Sequence, residues 1–161
     1  MQVAEFATLT GNRALTAYCR DRYKTVLVPD QMPGNGSFPM EMKRTKPYGY
    51  SLFNLEAMSA PCEILSTAQD NLWEFALPDG HGTRRAVAFM EPYIRDKKRW
   101  PLPSDVMYYS DWPMRQSSLL FAGLACNVLG YIALWKALPA DSDVEEVIRN
   151  FFIRQPVLWV A

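Results

Sequence analysis

The sequence has a single histidine, only three cysteines and no excess of either charge. Lys and Arg together number 17, as do Asp and Glu, so the formal net charge is zero. Because nucleic-acid-binding domains usually carry a basic excess, this balance argues against a nucleic-acid partner. Cys19, Cys62 and Cys126 show no Cys-x-x-Cys or Cys/His spacing, so the sequence gives no reason to expect a metal or another cofactor. We expect all three to be buried structural thiols.

Two further absences concern targeting and membranes. The chain does not begin with a basic segment followed by an apolar one, so no signal peptide is recognisable. Residues 116–135 contain no charged side chain, and a membrane-spanning helix needs about 20 predominantly apolar residues. Gly123, Gly130 and several polar residues dilute this segment, however. We therefore predict one or two buried helices, broken near residues 127–130, and no membrane span.

Strand-like alternation is also missing, apart from a short candidate at residues 157–160. Apolar residues instead recur at helical spacing, and Pro29 is expected to end the second helix. The predicted helices cover residues of about 2–10, 13–28, 48–66, 83–97, 115–138 and 143–150. The length suits one domain, and the fold class is all-α with antiparallel helix pairs.

The densest cluster of polar chemistry lies where a loop enters the third predicted helix. Lys43, Arg44, Lys46, Tyr48 and Tyr50 fall within eight residues. A guanidinium can pair in bidentate fashion with a carboxylate, and free N–H groups at a helix start add to an anion site. A solvated basic turn beside two core tyrosines would produce the same pattern. On these residues alone both interpretations stay open, and the structural one is favoured.

Several segments, in order, resemble one known family. The run Arg44-Thr-Lys-Pro-Tyr-Gly-Tyr-Ser-Leu-Phe-Asn-Leu-Glu-Ala57 resembles a signature of the alginate-lyase-like superfamily of polysaccharide lyases. The further matching runs are Pro29-Asp-Gln-Met, Gly36-Ser-Phe-Pro, Asn71-Leu-Trp-Glu-Phe, Asp105-Val-Met-Tyr and Ile153-Arg-Gln-Pro-Val-Leu-Trp159. The resemblance extends over essentially the whole chain.

The resemblance implies a fragment of an (α/α) toroid or barrel that cleaves uronic-acid polysaccharides, such as alginate or glucuronan, by β-elimination. It implies an anionic uronate polysaccharide as partner and action in the periplasm or outside the cell. By the same resemblance Arg44 and Tyr50 are the expected catalytic residues, and Lys46 and Tyr48 are expected to bind substrate. Tyrosine is a natural proton donor and needs a nearby cation to act as a base, which Arg44 is expected to supply.

The family's second half-site is an Asn-Asn-His-Gly type motif, which the resemblance places ahead of the segment that begins this chain. Residues 1–161 are therefore expected to be the C-terminal part of an alginate-lyase-like domain, and the activity of this part alone stays open. The only histidine, His81, falls in a peripheral loop and is not expected to be catalytic.

A second hypothesis is a non-catalytic fragment, either carbohydrate-binding or a helical remnant. A carbohydrate-binding fragment would keep an aromatic and basic groove of Tyr48, Trp112 and Arg115 without catalysing a reaction.

Overall fold

The computed structural model describes residues 1–151 and 153–160, and all regular secondary structure within those ranges is helical. This confirms the all-α prediction. The helices are α1 Gln2–Leu9, α2 Arg13–Arg22, α3 Val28–Gln31, α4 Pro39–Met42, α5 Pro47–Leu65, α6 Thr83–Arg95, α7 Ser117–Ala125, α8 Leu129–Ala137 and α9 Glu145–Asn150. A π-helical segment, Tyr23–Leu27, joins α2 to α3, and short 3-10 turns occur at Lys97–Arg99, Tyr109–Asp111 and Pro156–Trp159.

Two local predictions were wrong. Pro29 does not end the second helix, because the helical path continues through the π segment and α3 as far as Gln31. The π segment shifts the hydrogen-bond register, with the Val28 N–H bonded to the Tyr23 carbonyl, and Pro29 then lies in the first turn of α3. A proline's missing N–H is tolerated there. The strand suggested at 157–160 is a 3-10 turn instead.

The charge-free segment folds into two helices, α7 and α8, with the predicted break between them, but the expected burial holds for α7 and not for α8, of which only Leu134 and Trp135 are buried. The chain reverses at Asn127, whose φ of 53° is left-handed, and the Val128 N–H donates to the Gly123 carbonyl at 2.8 Å. A Cβ on Gly123 would lie 2.6 Å from Ile132 Cγ1, so glycine permits the close approach of the two helices. Among the described residues, no helix combines the length and hydropathy that a membrane crossing requires.

The longest helix, α5, organises the core. It packs against α1, α2, α4, α6 and α7, and most of its side chains are buried. One of them is Cys62, and burial raises the pKa of its thiol to about 12. Cys19 and Cys126 are only half-buried, and all three cysteines are free thiols. The expectation of buried thiols therefore holds for Cys62 alone.

A buried carboxylate on α5 holds the beginning of α7. Glu56 is 1% exposed. Its Oε2 accepts the Ser117 N–H at 2.9 Å together with the Ser117 hydroxyl, and its Oε1 accepts the N–H and hydroxyl of Ser118 at 3.0 and 2.6 Å. Burial raises the pKa of Glu56, and these four hydrogen bonds oppose that rise. Glu56 thereby satisfies the first donors of α7 and fixes α7 to α5.

We expect Glu56→Gln to lower the free energy of unfolding by about 1–3 kcal/mol. Each oxygen of Glu56 accepts a backbone N–H, so a glutamine must set its NH₂ group against one of these donors. Urea denaturation measures the change, with the exposed Glu74→Gln as control, expected within about 0.5 kcal/mol of wild type. Equal losses in the two variants would show that Glu56 does not clamp α7.

Candidate active site

The two tyrosines at the beginning of α5 face opposite ways. Residues two apart on an α-helix are separated by about 200° around its axis. Tyr48 is accordingly 0% exposed, while Tyr50 reaches the surface. The Tyr48 hydroxyl donates to the Tyr93 carbonyl at 3.1 Å, and its ring lies edge-on to that of Trp100. This position leaves Tyr48 no surface for a substrate, which corrects the expectation that it binds one.

Arg44 and Tyr50, the two predicted catalytic residues, lie in direct contact. Arg44 Cζ is 3.8 Å from the centroid of the Tyr50 ring, within the range of a cation–π contact. One Nη atom of Arg44 also donates to Glu41 Oε2 at 3.0 Å, and half of the Arg44 side chain is exposed. A guanidinium with unused donors therefore covers the tyrosine ring at the surface.

Lys46 lies on the same side of the α5 start and is paired with a distant carboxylate. Its Nζ donates to Glu146 Oε1 at 2.6 Å, joining residues 100 positions apart. The ammonium is 6.0 Å from the Tyr50 ring centroid and 4.8 Å from that of Tyr108. The hydrogen bond raises the pKa of Lys46 and lowers that of Glu146. The pair thus anchors α9 beside the two tyrosines.

A carboxylate from a distant loop caps the beginning of α5. Asp105 Oδ1 accepts the Tyr48 N–H and Oδ2 accepts the Gly49 N–H, both at 2.8 Å. Burial raises the pKa of Asp105, against the effect of these hydrogen bonds. A Cβ at Gly49 would lie 2.9 Å from Oδ2, so glycine leaves room for this cap. The Val106 N–H also donates at 3.1 Å to the carbonyl of Thr45, two residues before α5, so three hydrogen bonds hold the loop at the start of this helix.

A small cleft, about 10 Å³ in volume, lies between these groups. A cleft of this volume has room for about one water molecule. Its lining brings together the predicted Lys46 and Tyr50 with residues that sequence reasoning did not assign to the site. Those additional residues are Gly49, Tyr108, Glu146 and Asn150, and the lining also includes Trp112, which the second hypothesis had placed in a carbohydrate-binding groove. The only sequence signal for Tyr108 was the matching run Asp105-Val-Met-Tyr, and Glu146 had none.

Other candidates lie in different surroundings. Arg115 donates to the Leu138 and Lys136 carbonyls, each at 3.0 Å, so its guanidinium serves a structural role away from the groove suggested for it. His81 pairs through Nδ1 with the Asp79 carboxylate in a turn. In the portion of the chain that the structure describes, no three His, Cys, Asp or Glu side chains lie close enough together to hold a metal ion.

The fold and the cleft define an all-helical protein that presents a tyrosine flanked by two cations at a helix start. A family model described as alginate lyase matches residues 1–100. The chain belongs to the alginate lyase family, as the sequence resemblance predicted, and the matched range includes Arg44, Lys46 and Tyr50.

One solved structure resembles the chain over nearly all of its length. It is the crystal structure of an alginate lyase from Bacteroides ovatus at 1.60 Å resolution, with a TM-score of 0.70 and 24% sequence identity. The match covers 93% of this chain and 40% of that protein, so the chain spans less than half of the relative's length. No curated protein matches the chain.

The Lys46–Glu146 pair should contribute a coupling energy of about 0.2–1 kcal/mol to stability, because both side chains are partly exposed. The folded-state pKa of Glu146 lies below its ordinary 4.5, so its contribution is present above that value and is lost as the pH falls through the folded pKa. The pKa of Lys46 is raised above 10.5, so its contribution is present below that value and is lost as the pH rises through the folded pKa.

A double-mutant cycle with Lys46→Met and Glu146→Gln, followed by urea unfolding at neutral pH and near pH 3, measures this coupling. The more exposed Arg154–Asp141 pair, which shares neither residue, is the matched control and should couple more weakly. A coupling unchanged near pH 3 would contradict the assignment.

Proposed function

We propose that this member of the alginate lyase family is a polysaccharide lyase that cleaves uronic-acid polysaccharide of the alginate or glucuronan type by β-elimination. The observation that carries the proposal is the Arg44 guanidinium stacked 3.8 Å from the Tyr50 ring, within the segment that the family model matches. The family relationship also supports a periplasmic or secreted place of action. It favours a catalyst over a non-catalytic fragment.

The difficult step in this reaction is removal of the C5 proton, which lies next to a negatively charged carboxylate. As a base takes that proton, the C5–H electrons form the C4=C5 double bond and the C4–O4 bond breaks. A cation paired with the carboxylate stabilises the enolate-like intermediate. Arg44 suits this role because its planar fork can engage both carboxylate oxygens, and Glu41 occupies only one of its nitrogens.

Tyr50 is proposed to give its proton to the departing O4. Its hydroxyl makes no hydrogen bond with any other described residue, so it is free to meet a substrate oxygen. The resemblance implies a histidine or tyrosine as the base. Lys46, held by Glu146 beside the Tyr50 ring, is proposed to contact the polymer and to keep the edge of the site positively charged.

We expect Tyr50→Phe to reduce kcat by about 10²–10⁴-fold, the usual contribution of a positioned proton donor. Phenylalanine keeps the ring on which Arg44 stacks and removes only the hydroxyl. The measurement follows the ultraviolet absorbance of unsaturated uronate released from alginate and from glucuronan by the natural gene product. Tyr18→Phe, at a 56% exposed position on α2, is the matched control and should retain wild-type rates.

Two results would count against the proposal. Wild-type rates in Tyr50→Phe would remove Tyr50 from the mechanism. The natural gene product could instead bind both polymers and release no unsaturated product from either. That result would indicate a carbohydrate-binding protein and not a lyase.

A further inference from the structure

A second tyrosine, Tyr108, lines the same cleft as Tyr50 and has no role in the mechanism described above. Its ring centroid lies 4.8 Å from Lys46 Nζ, on a loop more than forty residues beyond the end of α5 in the sequence. Lys46 is thus flanked by two aromatic rings, with that of Tyr50 at 6.0 Å. Tyr48 of α5 is buried in the core and does not line the cleft. The second tyrosine beside Lys46 is therefore Tyr108, which comes from another segment.

The backbone fixes Tyr108 in this place. Asp105 accepts hydrogen bonds from two amide groups at the beginning of α5, and the Val106 N–H donates to the carbonyl of Thr45, two residues before that helix. Three hydrogen bonds therefore hold the segment leading to Tyr108 at the start of α5. Tyr108 itself has a φ of 62° and a ψ of 14°, in the left-handed region that a tyrosine seldom occupies. Such conformations are unfavourable for residues other than glycine and persist where surrounding contacts hold them.

The two neighbouring tyrosines of this loop have separate surroundings. Tyr109 donates its hydroxyl to the Lys97 carbonyl at 3.3 Å and packs its ring against that of Tyr48. The Tyr108 hydroxyl makes no hydrogen bond with any described residue, and its ring contacts the Lys46 ammonium. Tyr109 therefore anchors the loop to the core, while Tyr108 presents an unused donor and acceptor at the cleft.

We propose that Tyr108 is a substrate-contacting residue of the site, whose hydroxyl hydrogen-bonds to the uronate residue next to the one on which Tyr50 acts. This inference rests on the proposed function. The cleft is too small to hold a sugar, so a polymer lying across its mouth passes over both tyrosines. Tyr108 contributes to binding, and the proton transfers remain with other groups.

Kinetics on alginate test this role. Tyr108→Phe removes one hydrogen bond and should raise KM roughly 2- to 12-fold with kcat nearly unchanged, the range that a net hydrogen bond corresponds to. Tyr108→Asn removes the ring as well, while asparagine tolerates the left-handed backbone, and it should raise KM about tenfold or more. Tyr18→Phe serves as the control at an exposed tyrosine outside the cleft and should change neither parameter.

A titration separates this inference from the proposed function. Alginate oligosaccharides are titrated into Tyr50→Phe and into the Tyr50→Phe/Tyr108→Phe double variant, and the double variant should bind roughly 2- to 12-fold more weakly at an unchanged Tm. If Tyr50→Phe keeps full activity, the proposed role of Tyr50 fails while the effect of Tyr108 on Kd can still be measured.

Three results would overturn the role of Tyr108. Unchanged KM and Kd would remove it from the binding surface. A fall in kcat of a hundredfold or more in Tyr108→Phe at constant KM would make it an acid or base instead. A weaker Kd accompanied by a lowered Tm would make it a structural residue.

Discussion

The carboxylate of Asp105, bonded through its two oxygens to two successive amide groups of α5, is the interaction on which the candidate site depends. The helix begins at Pro47, which has no N–H, so Tyr48 and Gly49 carry the first free donors. A carboxylate at this end meets both the unsatisfied N–H groups and the positive end of the helix dipole. Because Asp105 belongs to a distant loop, the same two hydrogen bonds that begin the helix also bring Tyr108 to Lys46.

Glu56 repeats this chemistry at the beginning of α7. Helix α5 receives its cap from Asp105 and supplies one to α7, whose first two residues give all their donors to the Glu56 carboxylate. Burial raises the pKa of both acids, and the donors around each oppose the rise. In the described part of the chain, neither acid is paired with a cation in a salt bridge, because the helix N-terminus beside it provides the compensating partial charge. The two side chains thus connect three parts of the chain.

Sequence periodicity predicted the helices because it reports burial within a local segment, and it succeeded best for long elements such as α5. It failed at Pro29, where a π-helical register shift allows the chain to continue. The sequence alone could have excluded one of the two tyrosines, Tyr48 or Tyr50, from the site, because two tyrosines separated by one residue on a helix cannot both face it. Residue patterns alone did not place Tyr108 or Glu146 in the site, because a loop and a short helix reach the cleft only through tertiary contacts with Asp105 and Lys46. The one signal was the family-matching run that contains Tyr108.

The cations of the site are already paired, and this shapes how they can recognise a polyanion. Arg44 bonds to Glu41 and Lys46 to Glu146, in a protein whose formal net charge is zero, so long-range attraction is weak. Recognition must then depend on donors that remain free at short range. A guanidinium has five N–H donors and keeps several after its bond to Glu41, whereas the Lys46 ammonium has three and lies tightly against Glu146. Arg44 is therefore better suited to hold the carboxylate beside the reacting carbon, and Lys46, with two donors left, to contact the polymer beside the two tyrosine rings.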